Sequence, residues 1–286
     1  MECKNCGHIV EGKYCIDCGQ KSNIERITLS SLLKELSERI FQIDSVFFFT
    51  LMQLFRRPGN SIREYLDGKR RRHFKPIAYL LTFSTIYFII SKMIGQHTWM
   101  HDLITGFAQG GSHKKEIPAI LTWFAKNYAY TTLLLIPVFS FASFLCFWGK
   151  EKNYIEHLVV NSYVTGQQAI IYSLFSILKK FIAGGLLELL PTIIAICYAL
   201  VAYWQFFNKG NRMNILFRSF FTYILYFLMS LCILILIMGI ADFINWLKIR
   251  MVKPAINLNI TFCEKIENKP SNWVLLDKGS KVWHVK

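Results

Sequence analysis

The chain has 286 residues, and its 33 Lys+Arg against 18 Asp+Glu give a formal charge of +15. Yet 53% of residues are hydrophobic, only 18% are charged, and the mean hydropathy is +0.32. Ordinary globular chains are about 45–50% apolar and about 25% charged, so this balance excludes a disordered chain, a collagen-like fibre and a small disulfide scaffold. It argues against a soluble enzyme and for an all-α polytopic membrane protein.

The opening residues Met-Glu-Cys-Lys-Asn-Cys-Gly are polar, unlike the basic start and apolar run of a secretory signal. They contain Cys3-x2-Cys6, followed after eight residues by Cys15-x2-Cys18. Two such pairs can place four thiolates around one zinc at about 2.3 Å, as in a zinc ribbon over residues 1–22. Gly7 and Gly19 follow the pairs, where positive φ lets the chain turn its N–H groups toward the sulfurs. Lys4, Lys13 and Lys21 stand near enough in sequence to offset the thiolate charge. Two disulfides would suit an exported segment, and a redox pair would need a βαβ context; neither accompanies these cysteines. Four protein ligands leave no position open for water, so the expected zinc is structural.

Residues 27–75 read as cytoplasmic amphipathic helices lying on a membrane. Leu29, Leu32, Leu33, Leu36 and Ile40 recur at helical spacing among Lys34, Glu35, Glu38 and Arg39, with Thr28 or Ser30 as the start. Asp44 can cap a second helix from Val46 to Phe55, which is short of the ~20 residues a crossing needs. Arg56-Arg57-Pro58-Gly59 ends it. Ser61-Ile62-Arg63-Glu64 has capping-box spacing, and Gly68 can close the helix that follows. Lys69, Arg70, Arg71, Arg72 and Lys75 then precede a long apolar run. A cluster that abuts a span reads as a positive-inside signal and as a contact for anionic lipid headgroups. Nucleic acid would need more than a ribbon with basic residues beside it.

The bundle is expected over residues 76–246, with spans at 77–94, 128–148, 155–178, 186–207 and 219–240. Each is close to the length a crossing requires. Pro137 and Pro191 can kink the second and fourth. The third is the least apolar. At about 100° per residue, His157, Asn161, Thr165, Gln168 and Tyr172 fall within an arc of about 80°. Such a face can form a polar pathway or ligand pocket, or it can serve as interhelical hydrogen bonding. Glu188, near the start of the fourth span, is the candidate for a buried acid, the other reading being a position at the interface.

Loop charges place the ribbon inside. The tail, 247–286, conflicts with that, because Lys248, Arg250 and Lys253 closely follow span five. A four-span rival, with the third segment lying in the interface, returns the tail to the cytoplasm. His97 and His101, with Asp102 and His113 nearby, make a second metal site conceivable, though loop histidines are commonly just solvated. Cys146, Cys197 and Cys232 are expected as small buried hydrophobes, and Cys263 has no assigned role. No P-loop, nucleophile elbow, dinucleotide fingerprint or zinc-protease motif occurs.

Cys3-x2-Cys6-Gly7 through Cys15-x2-Cys18-Gly19-Gln20, then Thr50-Leu51 to Arg57-Pro58-Gly59, then Glu64-Tyr65-Leu66-x-Gly68-Lys69-Arg70, resemble an uncharacterised bacterial family of zinc-ribbon multi-pass membrane proteins, a domain of unknown function. The five-span layout is distantly similar to the Yip family. The resemblance implies an architecture and a bacterial inner-membrane setting, with no activity attached. The expected function is a non-enzymatic scaffold that recruits a cytoplasmic partner through its ribbon. The alternative is a transporter or channel for a small molecule or ion, built around the polar face of span three.

Overall fold

The computed structural model describes residues 1–23, 26–29, 31, 45–98, 101–102, 105–106, 119–181, 186–208 and 210–267. The chain divides into two compact units, Met1–Ile233 and Leu234–Lys286. Most of the helix expected over 29–40, with Asp44, His113 and the last residues of the tail, lies outside the described residues. At its start, Thr28 Oγ1 accepts the Ser31 N–H at 3.3 Å, the geometry of an N-cap.

Two short helices precede the bundle. The first, α1 (Ser45–Arg56), buries Phe47, Thr50 and Leu54 and exposes Phe48, Phe49, Met52 and Phe55. An apolar face on a helix too short to cross is the pattern of an in-plane interfacial helix. Helix α2 (Pro58–Leu66) starts with Pro58 in the first turn, where a missing N–H costs nothing. Ser61 therefore lies inside α2, and the expected capping box does not form. Glu64 instead pairs with Arg57 at 3.0 Å across the corner between α1 and α2. Gly68 follows at φ 115°, and the Lys69 N–H closes on the Glu64 carbonyl at 2.9 Å.

The bundle comprises α3 (Pro76–Ile94), α5 (Tyr128–Cys146), α6 (Tyr154–Phe181), α7 (Leu186–Phe206) and the start of α8 (Arg212–Glu267). Gly95 ends α3 at φ 76°. A short helix not anticipated from sequence, α4 (Ala119–Lys126), leads into α5 through Asn127. Four stretches are long and apolar enough to cross a membrane: Pro76–Ile94, Tyr128–Cys146, Glu188–Phe206 and Arg212–Ile240. Among the described residues, α6 is the other long helix, and its polar side chains keep it off that set. It starts at a reciprocal cap: Asn153 Oδ1 accepts the Glu156 N–H at 2.8 Å and Glu156 Oε2 accepts the Asn153 N–H at 2.9 Å. Helix α8 does not stop at 240 but runs on to Glu267, through residues assigned above to a tail.

Helix α6 is the axis of the first unit. It runs parallel to α3, since Tyr79 meets Tyr163 (ring centroids 5.6 Å) and Tyr87 meets Tyr172 (5.8 Å). It runs antiparallel to α5, pairing His157 with Ser143 and Asn161 with Ser140, and to α7, pairing Asn161 with Tyr203 and Gln168 with Ala195. Glycines set two close approaches. A Cβ at Gly166 would stand 2.6 Å from the buried Tyr79 ring. A Cβ at Gly59 would stand 2.3 Å from Ala202 O and Phe206 N, which fixes α2 against the backbone of α7. Cys197 and Cys232, expected inside, lie on exposed faces of α7 and α8, because their helices turn other residues inward.

Gly59→Ala cannot be absorbed by rotating a side chain, because the obstructing atoms include backbone. It should destabilise the protein by about 1–3 kcal/mol or more, as overpacking does. The melting temperature in detergent should fall for Gly59→Ala and stay unchanged for Gly12→Ala, which meets nothing within 4 Å.

Candidate functional site

The amino-terminal module is two copies of one turn, offset by twelve residues. Glu2 bridges Ile9 in the first and Tyr14 bridges Lys21 in the second. Gly7 N bonds Cys3 O and Gly19 N bonds Cys15 O, both at 2.8 Å, with Gly7 at φ 81° and Gly19 at φ 68°. The two turns face each other, and His8 Nδ1 approaches Asp17 Oδ2 at 3.0 Å between them. All four sulfurs lie within 4.8 Å of one another. Cys3 to Cys18 is 3.6 Å and Cys6 to Cys15 is 3.5 Å. A tetrahedron with bonds of about 2.3 Å has edges of about 3.8 Å, so the sulfurs could hold a metal ion with little movement.

The thiols do not ionise alike. Burial raises Cys18, but the Gln20 backbone, the Asn5 side chain and the neighbouring thiols outweigh it and hold Cys18 at about 6. The His8 backbone lowers Cys6, but burial and its thiol neighbours push it up to about 12. A divalent ion would supply the positive charge that lets all four ionise together. Among the described residues, these cysteines are the one group of three or more His, Cys, Asp or Glu placed to hold a metal.

Arg71 of the basic cluster presents its guanidinium 3.7 Å from where a Gly19 Cβ would stand, and the Arg71 backbone N–H donates to Gln20 Oε1 at 3.2 Å. Arg26, just after the module, donates to Glu156 Oε2 at 3.0 Å and to Glu151 O at 3.4 Å. The cysteine module is thus fastened at two points, to the turn before α3 and to the start of α6. Of the remaining basic residues, Lys69 and Arg72 are exposed, Lys75 is half-buried, and Arg70 lies over the Tyr65 ring at 6.0 Å. His73 in this segment is buried with Nδ1 2.9 Å from Lys69 O. Burial holds its imidazole below the ordinary value, so it adds little charge to the cluster.

The polar face expected on α6 divides into two parts. At the end near the module, His157 Nδ1 lies 2.8 Å from Ser143 Oγ, and Asn161 Nδ2 donates to Ser143 Oγ at 2.9 Å. Tyr203 donates to Asn161 Oδ1, and the rings of Phe144, Phe147 and Phe207 surround the imidazole at 5.7–6.2 Å. This half is packed and joins α5, α6 and α7 by hydrogen bonds. At the opposite end Thr165, Gln168, Tyr172 and Glu188 line a cavity of about 760 Å³ among α3, α5, α6, α7 and α8. Gln168 Nε2 donates to Ala195 O at 3.0 Å and to Tyr223 OH at 2.8 Å. Glu188, expected as a buried acid, is exposed at the start of α7 because its helix end reaches the cavity mouth.

Sequence reasoning did not find Gln167, which lies outside the arc. Its Oε1 accepts from the buried Tyr79 hydroxyl at 2.6 Å. His97 and His101 stack face to face at 4.0 Å, with Asp102 3.7 Å from His101 Nδ1.

Residues 44–88 match the model of a family described as a protein of unknown function (DUF3667). The match covers α1, α2, the basic turn and most of α3, including Gly59 and Arg71. No curated protein and no solved structure matches the chain.

The purified protein should carry one divalent metal ion per cysteine module, measured by plasma mass spectrometry. Exchanging Cys3 and Cys6 for Ser should remove it, and acidification should release it, since protons compete for the thiolates. Arg71→Glu should keep the metal yet loosen the module, read as faster tryptic cleavage after Lys21.

Proposed function

We propose that this is a membrane protein of five crossings whose amino-terminal module holds a structural zinc and recruits a cytoplasmic protein, without catalysing a reaction. The observation that carries this reading is the way the module is mounted. Arg71 and Arg26 fix it to the bundle on one side. Its outer tips stay apolar and open, with Ile16 90% and Ile9 67% exposed and Tyr14 beside them. Rigid mounting with exposed aliphatic and aromatic side chains is the form of a docking module. Four thiolates in a tetrahedral arrangement favour zinc and leave no open coordination position for chemistry.

The fifth crossing rests on depth. Helix α6 lies beside α3 from Tyr79–Tyr163 to Tyr87–Tyr172, so it enters whatever layer α3 crosses. Its polar side chains face α5 and α7, which is where lipid tolerates them. At about 1.5 Å per residue its 28 residues also exceed a hydrocarbon core of about 30 Å. The basic cluster beside the module then keeps this end in the cytoplasm and meets anionic headgroups through Lys69, Arg72 and Lys75. A bacterial inner membrane is the setting that basic and aromatic span flanks suit.

The cavity supports a second reading, in which the spans bind or carry a small molecule past Thr165 and Gln168. Gln168→Leu should then abolish a transport phenotype at unchanged protein level, whereas the scaffold reading expects it to survive.

Co-purification from native membranes tests the scaffold. A partner held by the parent should be lost with Ile16→Asp and with Cys3 and Cys6 exchanged for Ser, at equal protein level. Retention through both changes would overturn it. For topology, Glu188→Cys should react with a membrane-impermeant maleimide added from outside intact cells. Labelling only after lysis would favour four crossings.

A further inference from the structure

We infer that the cavity at the far end of the bundle binds a small organic cation between two aromatic walls. The inference rests on reading that cavity as a ligand site and adds the chemistry of its ligand. One wall is Tyr87, Tyr128 and Tyr172, with ring centroids 4.8 Å apart for Tyr87–Tyr128 and 5.8 Å for Tyr87–Tyr172. The other is Phe139, Tyr223 and Tyr226, with centroids 5.3 Å and 4.7 Å from Phe139. All six line the same cavity, whose volume of about 760 Å³ fits a drug-sized molecule.

The walls decide the charge of the occupant. Aromatic rings present negative faces, and they attract an organic cation more strongly once water is excluded. The described deep lining offers hydroxyl and amide groups, such as Thr132, Thr165 and Gln168, and no fixed charge. Among the described residues, fixed charge collects at the mouth, where Asp102 and Glu188 stand against Lys179. The mouth therefore draws cations in, and the rings then hold them without a buried ion pair. An ammonium or phosphonium with an apolar body matches both parts.

Tetraphenylphosphonium and tetraphenylborate share a shape and differ in sign, so they separate these possibilities. Equilibrium binding uses the full-length protein in nanodiscs of zwitterionic lipid. The phosphonium should bind saturably, and the borate should not. Tyr172→Leu should weaken phosphonium binding about tenfold, a plausible share of a desolvated cation–π contact. Glu188→Gln, at an exposed position where folding is not at risk, should weaken it about two- to fivefold. Lys179→Gln should leave binding unchanged or tighten it. Borate bound as tightly as phosphonium would overturn the cation assignment while leaving a ligand site. Saturable binding of neither ion would overturn both. Full phosphonium affinity in Tyr172→Leu and Glu188→Gln together would place the cation elsewhere and overturn the inference.

Discussion

The amide of Asn161 is where the bundle is tied together. It donates to Ser143 and Ser140 of α5 and accepts from Tyr203 of α7, so one side chain of α6 fixes three helices in register. Buried away from water, such a group stays on a central helix only where neighbours supply its partners. That constraint explains why α5 carries Ser140 and Ser143 one turn apart in its largely apolar second half. It also explains why α6 is the axis and not a peripheral helix. Its polar face must be covered on several sides, while its neighbours can turn Leu, Ile and Phe outward.

Around this axis, close packing depends on absent side chains. Hydrophobic burial gives little drive between helices already in lipid, so approach distance and complementary shape carry association. Gly166 lets Tyr79 lie against α6, which brings the Tyr79 hydroxyl to Gln167. Gly59 lets α2 touch the backbone of α7, and the contact is completed by Gly59 N–H to Gln205 Oε1 at 3.2 Å and Arg63 to Gln205 O at 3.0 Å. Helices α1 and α2 are therefore part of the bundle. Thr50 of α1 accepts the Phe74 N–H at 2.7 Å, and Tyr163 of α6 donates to the Phe74 carbonyl. The chain enters α3 through a turn held on both sides.

The cysteine module inherits its position from that turn. Arg71 sits five residues before Pro76 and reaches the second cysteine turn, so orienting α3 also orients the module. Within the same basic stretch, Arg71 reaches the module and Arg70 lies over the Tyr65 ring. Composition cannot separate them, because Lys69, Arg70, Arg71 and Arg72 are adjacent and chemically alike.

The sequence by itself determined the features that depend on local spacing. Two Cys-x2-Cys pairs followed by glycine fix a thiol cluster whatever surrounds it, since short turns bring their own ends together. Apolar runs of crossing length locate four helices, three of them close to their expected bounds, because a crossing demands length and little else. The arc of polar residues on α6 was legible from helical period alone. What that face meets was not. Ser143 and Tyr203 lie far away in sequence, and only packing shows that His157 and Asn161 are closed off by hydrogen bonds while Thr165, Gln168 and Tyr172 open onto a cavity. Tertiary structure likewise placed Glu188 at a mouth instead of in a core and gave Arg71 its partner. It also moved Ser61 from a cap to a helix interior, since Pro58 starts the helix three residues earlier. Each of these depends on which distant side chain arrives, and a one-dimensional pattern carries no information on arrival.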